Sequence, residues 1–213
     1  MSADAERGDG PSDTIQPTLD VDTAEWYLYT TREPDKQRDR WKQSPRVVTF
    51  DEHGERVWSA IEEGHMHTGF TARIGEDGEK IAMAGRADDD REFYWTAFDG
   101  EPVEFDYSLW GMNPVDIDGD GTHELFGDGQ LRDADGTVLA EIDDGMTVRM
   151  FSKLVDHPGE QIVTVTGSGR VRVWGDRNAE DGPAARARYE HPYYRKTQRL
   201  SAVGYNGSNL GGL

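Results

Sequence analysis

The amino-acid sequence predicts an all-β fold, a β-propeller-like array of antiparallel hairpins and four-stranded blades. Three observations predict it. Short apolar or alternating runs recur between turns rich in Gly and Asp, the pattern of consecutive strands that each turn one face to a core. Long stretches of helical periodicity are missing from the chain. The turn glycines Gly54, Gly100, Gly136 and Gly169 stand 46, 36 and 33 residues apart, close to the roughly 40 to 50 residues of a propeller blade. A twisted meander or a sandwich would make the same hairpins, so the uneven spacing leaves that alternative open.

The elements follow in order. Residues 1–20 are polar, acidic and rich in Gly, Pro, Ser and Asp, and read as a disordered leader; residues 21–213 form the propeller-like domain. Asp35 to Arg40 is a charged insertion. Val47–Phe50 and Arg56–Trp58 flank the turn Asp51–Gly54, and Tyr94–Phe98 turns at Asp99-Gly100. Gln130-Leu131 turns at Asp133–Gly136 into Thr137–Leu139, and Ile162–Val165 turns at Gly167–Gly169 into Val171–Trp174. Asn178–Ala187 reads as a loop to the terminal segment. This length makes roughly four or five blades, at the low end of the usual range of about four to eight. An incomplete ring exposes two sheet edges, so either a partner chain or self-association closes it, the ring is small, or the sequence is a piece of a longer one.

Composition narrows the partners. With 213 residues, 42 acidic side chains against 23 basic ones and a net charge of −19, a phosphate backbone is repelled, and nucleic acid is disfavoured. Only five of the basic residues are Lys. A dispersed acidic surface with Arg preferred to Lys fits a salt-loving source, where short Debye lengths quench self-repulsion. The absence of Cys excludes disulfides and thiolate metal sites. No apolar run is long enough to span a membrane, and the start lacks the basic and apolar stretches of an export signal. The chain as it stands reads as cytoplasmic; as a piece of a longer protein it reads as secreted.

Residues 116–124, Asp-Ile-Asp-Gly-Asp-Gly-Thr-His-Glu, are the most specific motif. Carboxylates at every second position around two glycines make a loop that can wrap a hard cation, and Ca²⁺ takes about six to eight oxygens at flexible angles. The ligands expected are Asp116, Asp118, Asp120, the Thr122 carbonyl and Glu124. The first five positions match an EF-hand. The rest do not, because the last carboxylate comes at the ninth position and Leu125-Phe126 reads as a strand. D-x-D-G-D-G-x-x-E before a strand resembles the FG-GAP calcium loop of integrin-type propellers. A solvated acidic turn is the bland alternative.

Two further clusters carry possible chemistry. His65 and His67 fall on one side of an extended strand, since side chains alternate with a period of two. Such a pair can share proton transfer or contribute to a metal site, and is also a common structural feature. Tyr189 to Arg199 gathers Arg195, Lys196 and Arg199 among Tyr193 and Tyr194 in an otherwise anionic chain, followed by Tyr205. Guanidinium forks suit a uronate carboxylate and aromatic faces suit sugar rings; an edge strand of paired Arg and packed Tyr is the alternative. Asn206-Gly207-Ser208 is a glycosylation sequon.

The FG-GAP-like loop, the strand Val171-Arg172-Val173-Trp174, and the closing Tyr189-Glu190-His191-Pro192-Tyr193-Tyr194-Arg195 followed by Gly204-Tyr205-Asn206 together resemble the C-terminal half of propeller polysaccharide lyases. Rhamnogalacturonan lyases come first and ulvan lyases second. The resemblance covers residues 45–213, and the chain is much shorter than those enzymes. It implies β-elimination on a uronic acid-containing polysaccharide. Arg195 or a bound Ca²⁺ would withdraw charge from the carboxylate, His67 or His65 would take the C5 proton, and Tyr194 would protonate the leaving oxygen. Arg73, Arg86, Tyr193 and Arg199 would hold the acidic polymer. A calcium-binding module that recognises a glycan or protein without chemistry, or an inactive lyase fragment, are the competing expectations.

Overall fold

The computed structural model describes residues 12–32, 45–142, 146–201 and 212–213. Within them, four antiparallel sheets follow one another along the chain, each a meander whose sequence neighbours are also its hydrogen-bonded neighbours. The first holds β1 (Ser12–Leu19), β2 (Trp26–Arg32), β3 (Val47–Asp51) and β4 (Arg56–Ala60). The second holds β5 (Met66–Arg73), β6 (Lys80–Arg86) and β7 (Arg91–Thr96). The third holds β8 (Asn113–Val115), β9 (Glu124–Gly127), β10 (Gln130–Arg132) and β11 (Val138–Glu141). The fourth holds β12 (Met146–Ser152), β13 (Gln161–Thr166) and β14 (Val171–Trp174). Successive three- and four-stranded meanders are the blade-like architecture that the turn spacing predicts.

The repeat extends to individual hydrogen bonds. Gly54, Gly100, Gly136 and Gly169 all have positive φ, between 76° and 87°, a conformation that costs glycine nothing. Each glycine N–H donates back to the residue that opens its turn: Asp51, Thr96, Asp133 and Thr166, at 2.9 to 3.1 Å. The N–H groups of those four residues donate in turn to Glu55, Glu101, Thr137 and Arg170. Side-chain oxygens of Asp51, Thr96 and Thr166 accept a backbone N–H across their turns. One local device thus closes the last hairpin of every sheet. In the second sheet the returning strand is reduced to a bridge between Trp95 and Pro102.

The chain divides into two compact units, one formed by residues up to Thr71 with Ile81–Trp110, the other by Ala72–Lys80 with Gly111 onward. The core of the first unit gathers Tyr29, Val47, Trp58, Met66, Ala82, Ala84, Trp95 and Ala97. Trp58 organises it: the ring lies 5.6 Å from Trp95 and its Nε1–H donates to the Ala97 carbonyl at 2.9 Å. The core of the second unit is Val115, Ile117, Phe126, Leu131, Phe151 and Ile162.

Two expectations need correction. Ser12–Leu19 is not part of a leader but strand β1, in register with β2 from Ser12 opposite Arg32 to Leu19 opposite Trp26. Its buried residues are Thr14, Gln16 and Thr18. Gln16 accepts the Thr71 N–H at 2.8 Å and donates to the Thr71 carbonyl at 3.2 Å, so polar side chains do the docking. The loop expected over Asn178–Ala187 gives way at Pro183 to helix α1 (Pro183–Glu190), and the Tyr189–Arg199 cluster, for which an edge strand is the alternative, runs into helix α2 (Pro192–Ser201). Pro183 opens α1 at the position where a missing N–H is harmless, and Pro192 holds His191 extended between the helices. The insertion Asp35–Arg40, together with Tyr205 and the sequon at Asn206, lies outside the described residues.

Candidate metal centre

The loop between β8 and β9 carries Asp116, Asp118 and Asp120, and one carboxylate oxygen from each lies within 4.8 Å of the others. The backbone curl rests on Gly119 and Gly121, with φ of 84° and 100°. Asp116 is fully buried, and its Oδ1 accepts the Gly119 N–H at 2.8 Å. Asp118 Oδ1 accepts the Asp120 N–H at 3.1 Å, and Asp120 Oδ1 accepts the N–H and hydroxyl of Thr122 at 2.6 and 2.7 Å. Glu124, at the start of β9 and 5% exposed, accepts the Ile117 N–H at 2.9 Å. Five oxygen-bearing positions of the motif therefore sit in one loop, and hard oxygen donors of this type suit Ca²⁺.

The electrostatics are those of crowded carboxylates. Burial, with Asp118 and Asp116 nearby, pushes the Glu124 carboxyl up to about 8. Burial likewise raises Asp116 to about 6, with Arg188 pulling it down and Glu160 pushing it up. Burial raises Asp118 as well. A bound cation would relieve all three, because it replaces mutual repulsion with attraction.

A helical cap seals the loop. Backbone N–H groups of Glu180 and Gly182 donate to the carbonyls of Asp118 and Gly119, and Glu160 N–H donates to Asp116. From α1, Arg188 reaches Asp116 in a buried ion pair, and the Tyr189 hydroxyl reaches the same carboxylate at 3.3 Å. Burial works against the Arg188 charge, but Glu160 and Asp116 outweigh it and hold the guanidinium charged. Glu160 ties the arrangement together: its carboxylate accepts the Asp116 N–H at 2.9 Å and the Tyr194 hydroxyl at 2.7 Å. Lys153 pairs with Asp181 at 2.8 Å beneath the Tyr189 ring.

His123 sits inside this network. Arg73 N–H donates to its Nδ1 at 3.1 Å, and Arg188 Nη1 lies 3.2 Å from its Nε2. Burial, then Arg188, Lys80 and Arg73, hold the ring's pKa well below the usual value, so it is neutral. A neutral imidazole accepts through one nitrogen only, so one of the two contacts is not a hydrogen bond. Arg188 Nε is also buried without a partner. The network is tight but not fully satisfied.

The other sequence-derived residues are distributed as follows. His65 and His67 belong to the first unit, their rings 5.7 Å apart and edge to face; His65 is half-buried and His67 exposed. Arg86 is committed to Asp89 through two nitrogens at 2.8 and 2.6 Å. In the second unit, Arg73 donates to the Gly78 carbonyl at 3.0 Å. Arg195 and Arg199 are exposed on α2, and Tyr193 is half-buried. Tyr194 is only 1% exposed, and its hydroxyl is engaged by Glu160 and by the Lys153 N–H at 2.8 Å. Sequence reasoning missed Arg188 and Glu160, because a buried charge looks like a surface charge in one dimension, and left His123 unassigned because its neighbours come from distant parts of the chain.

No protein-family model matches this chain, and no curated protein sequence matches it. Among solved structures, the chain is similar to the Dos1 propeller, with a TM-score of 0.47 and 15% identity over 78% of this chain and 44% of that one. It is also similar to the V. cholerae biofilm matrix protein Bap1, with a TM-score of 0.40 and 17% identity over 76% of this chain and 28% of that one. The chain therefore spans less than half the length of either.

Proposed function

We propose that this chain is a calcium-binding, propeller-like module whose ion holds the curl of the 116–124 loop beneath the helical cap, and that it serves in recognition rather than catalysis. The observation that carries the reading is the convergence of Asp116, Asp118 and Asp120 within 4.8 Å. Asp118, Asp120 and the Thr122 carbonyl, with Asp116 and Glu124 behind them, would hold the ion. Its charge would offset the buried carboxylates. Asp116 would contribute less than a free carboxylate, because Arg188 already shares it. Fewer net negative charges at a site weaken calcium affinity.

The polysaccharide lyase reading asks Tyr194 to deliver a proton to a leaving oxygen. Its burial, and its hydroxyl's bonds to Glu160 and the Lys153 N–H, favour a structural task instead. The two readings separate in one experiment. Incubation with rhamnogalacturonan or ulvan should release no unsaturated, ultraviolet-absorbing product; product that disappears in His67→Ala would restore the enzyme. For the ion, calorimetric titration should give saturable Ca²⁺ uptake that Asp118→Ala abolishes. Chelation and Asp118→Ala should lower thermal stability by similar and non-additive amounts, since both disable the same site. Full additivity would count against calcium.

A further inference from the structure

We propose that a crevice along β7 in the first unit binds a small organic ammonium cation, such as a methylated amine. The crevice has a volume of about 420 Å³, within the range of roughly 300 to 1,000 Å³ typical of small-molecule sites. It lies between Glu92–Trp95 and Pro102–Asp106. Its aromatic wall is Tyr94 against Phe105, with ring centroids 4.9 Å apart, and Tyr107 stands edge-on behind Phe105 at 6.2 Å.

The wall is rigid. Glu92 fastens it by accepting from the Tyr94 hydroxyl, the Ser108 hydroxyl and the Leu109 N–H, so this carboxylate sets the wall's geometry and adds its charge to the site. Glu104 and Asp106 flank Phe105 and are exposed. Among the described residues, no Lys or Arg lines the crevice. Aromatic faces beside carboxylates attract a cation with an apolar body, since the ring quadrupole and the carboxylates act in the same sense. The strand already handles cations in this way: Arg86 and Arg91 each stand 5.7 Å over the Phe93 ring, both held by Asp89.

The test uses the intact chain in a calcium chelator, which makes it independent of the metal loop. Choline is titrated at constant ionic strength by calorimetry, and its neutral isostere 3,3-dimethylbutan-1-ol is titrated in parallel. Choline should bind saturably, and the isostere should bind at least about tenfold more weakly, the scale of a desolvated cation–π contact. Glu104→Gln with Asp106→Asn, both at exposed positions, should weaken choline by about tenfold and leave the isostere unchanged. Phe105→Ala should weaken both. Absence of saturable choline binding, equal affinity for the isostere, or indifference to the carboxylate substitutions would each overturn the proposal.

Discussion

Replacing Arg188 by Met tests how the cap and the loop depend on each other. Met keeps much of the aliphatic volume and removes the charge, leaving fully buried Asp116 with the Gly119 and Gly121 N–H groups and the Tyr189 hydroxyl. Glu160 then repels it with no guanidinium to offset the repulsion. Breaking a buried ion pair from one side costs about 3–5 kcal/mol. At about 2–4 °C per kcal/mol for a chain of this size, the melting temperature should fall by roughly 6–20 °C. Asp116→Asn with Arg188→Met should lose less than Arg188→Met alone, because the stranded charge is gone. The assay is urea and thermal unfolding of the four proteins in chelator at pH 7.5. A loss below about 1 kcal/mol for Arg188→Met, or a double variant whose loss equals the sum of the singles, would refute the view that this pair is a coupled buried unit.

Other outcomes follow from the same geometry. Glu124 has its carboxyl raised from 4.5 to about 8, so it favours the metal-free fold fully below pH 4.5, and that contribution is lost as pH rises through 8, at roughly 1.4 kcal/mol per unit across the window. Stabilisation by Ca²⁺ should accordingly grow with pH between 6 and 8, with about one proton released on binding near pH 7, measurable by calorimetry in buffers of different ionisation enthalpy. Glu124→Gln should raise metal-free stability at pH 8 while weakening calcium uptake; a variant that lost both would contradict the assignment. Gly159 has φ of 71°, and an added Cβ would stand 2.1 Å from the Ile117 carbonyl oxygen, so Gly159→Ala should cost at least about 2 kcal/mol in a denaturant titration. Trp58→Phe, which removes the bond to the Ala97 carbonyl together with part of the buried ring volume, should cost about 2–3 kcal/mol, and Trp58→Ala about 3–5 kcal/mol.

The hairpins were legible because their turns depend on local chemistry: glycine at positive φ and an Asp or Thr whose oxygen caps the turn leave a signature within about five residues. The clustering of Asp116, Asp118 and Asp120 around two glycines was legible for the same reason. The helical cap was not. Its buried face includes Ala185, Arg188, Tyr189, Tyr194 and Thr197, correctly spaced for helices but lacking any large aliphatic side chain, so no plain apolar periodicity betrays it. Strand β1 was hidden likewise, since Thr14, Gln16 and Thr18 dock by hydrogen bonds. The His pair belongs to one compact unit and Tyr194 and Arg195 to the other, a division that sequence spacing does not encode.

The hairpin that closes every sheet within a few residues has an evolutionary corollary. A chain whose modules each finish with their own self-contained fastening can gain or shed one of them by duplication or deletion without rewriting the rest. New binding surfaces can then be tried in the intervening segments, such as those that follow Thr96 or precede Glu124, while the fastenings stay constant.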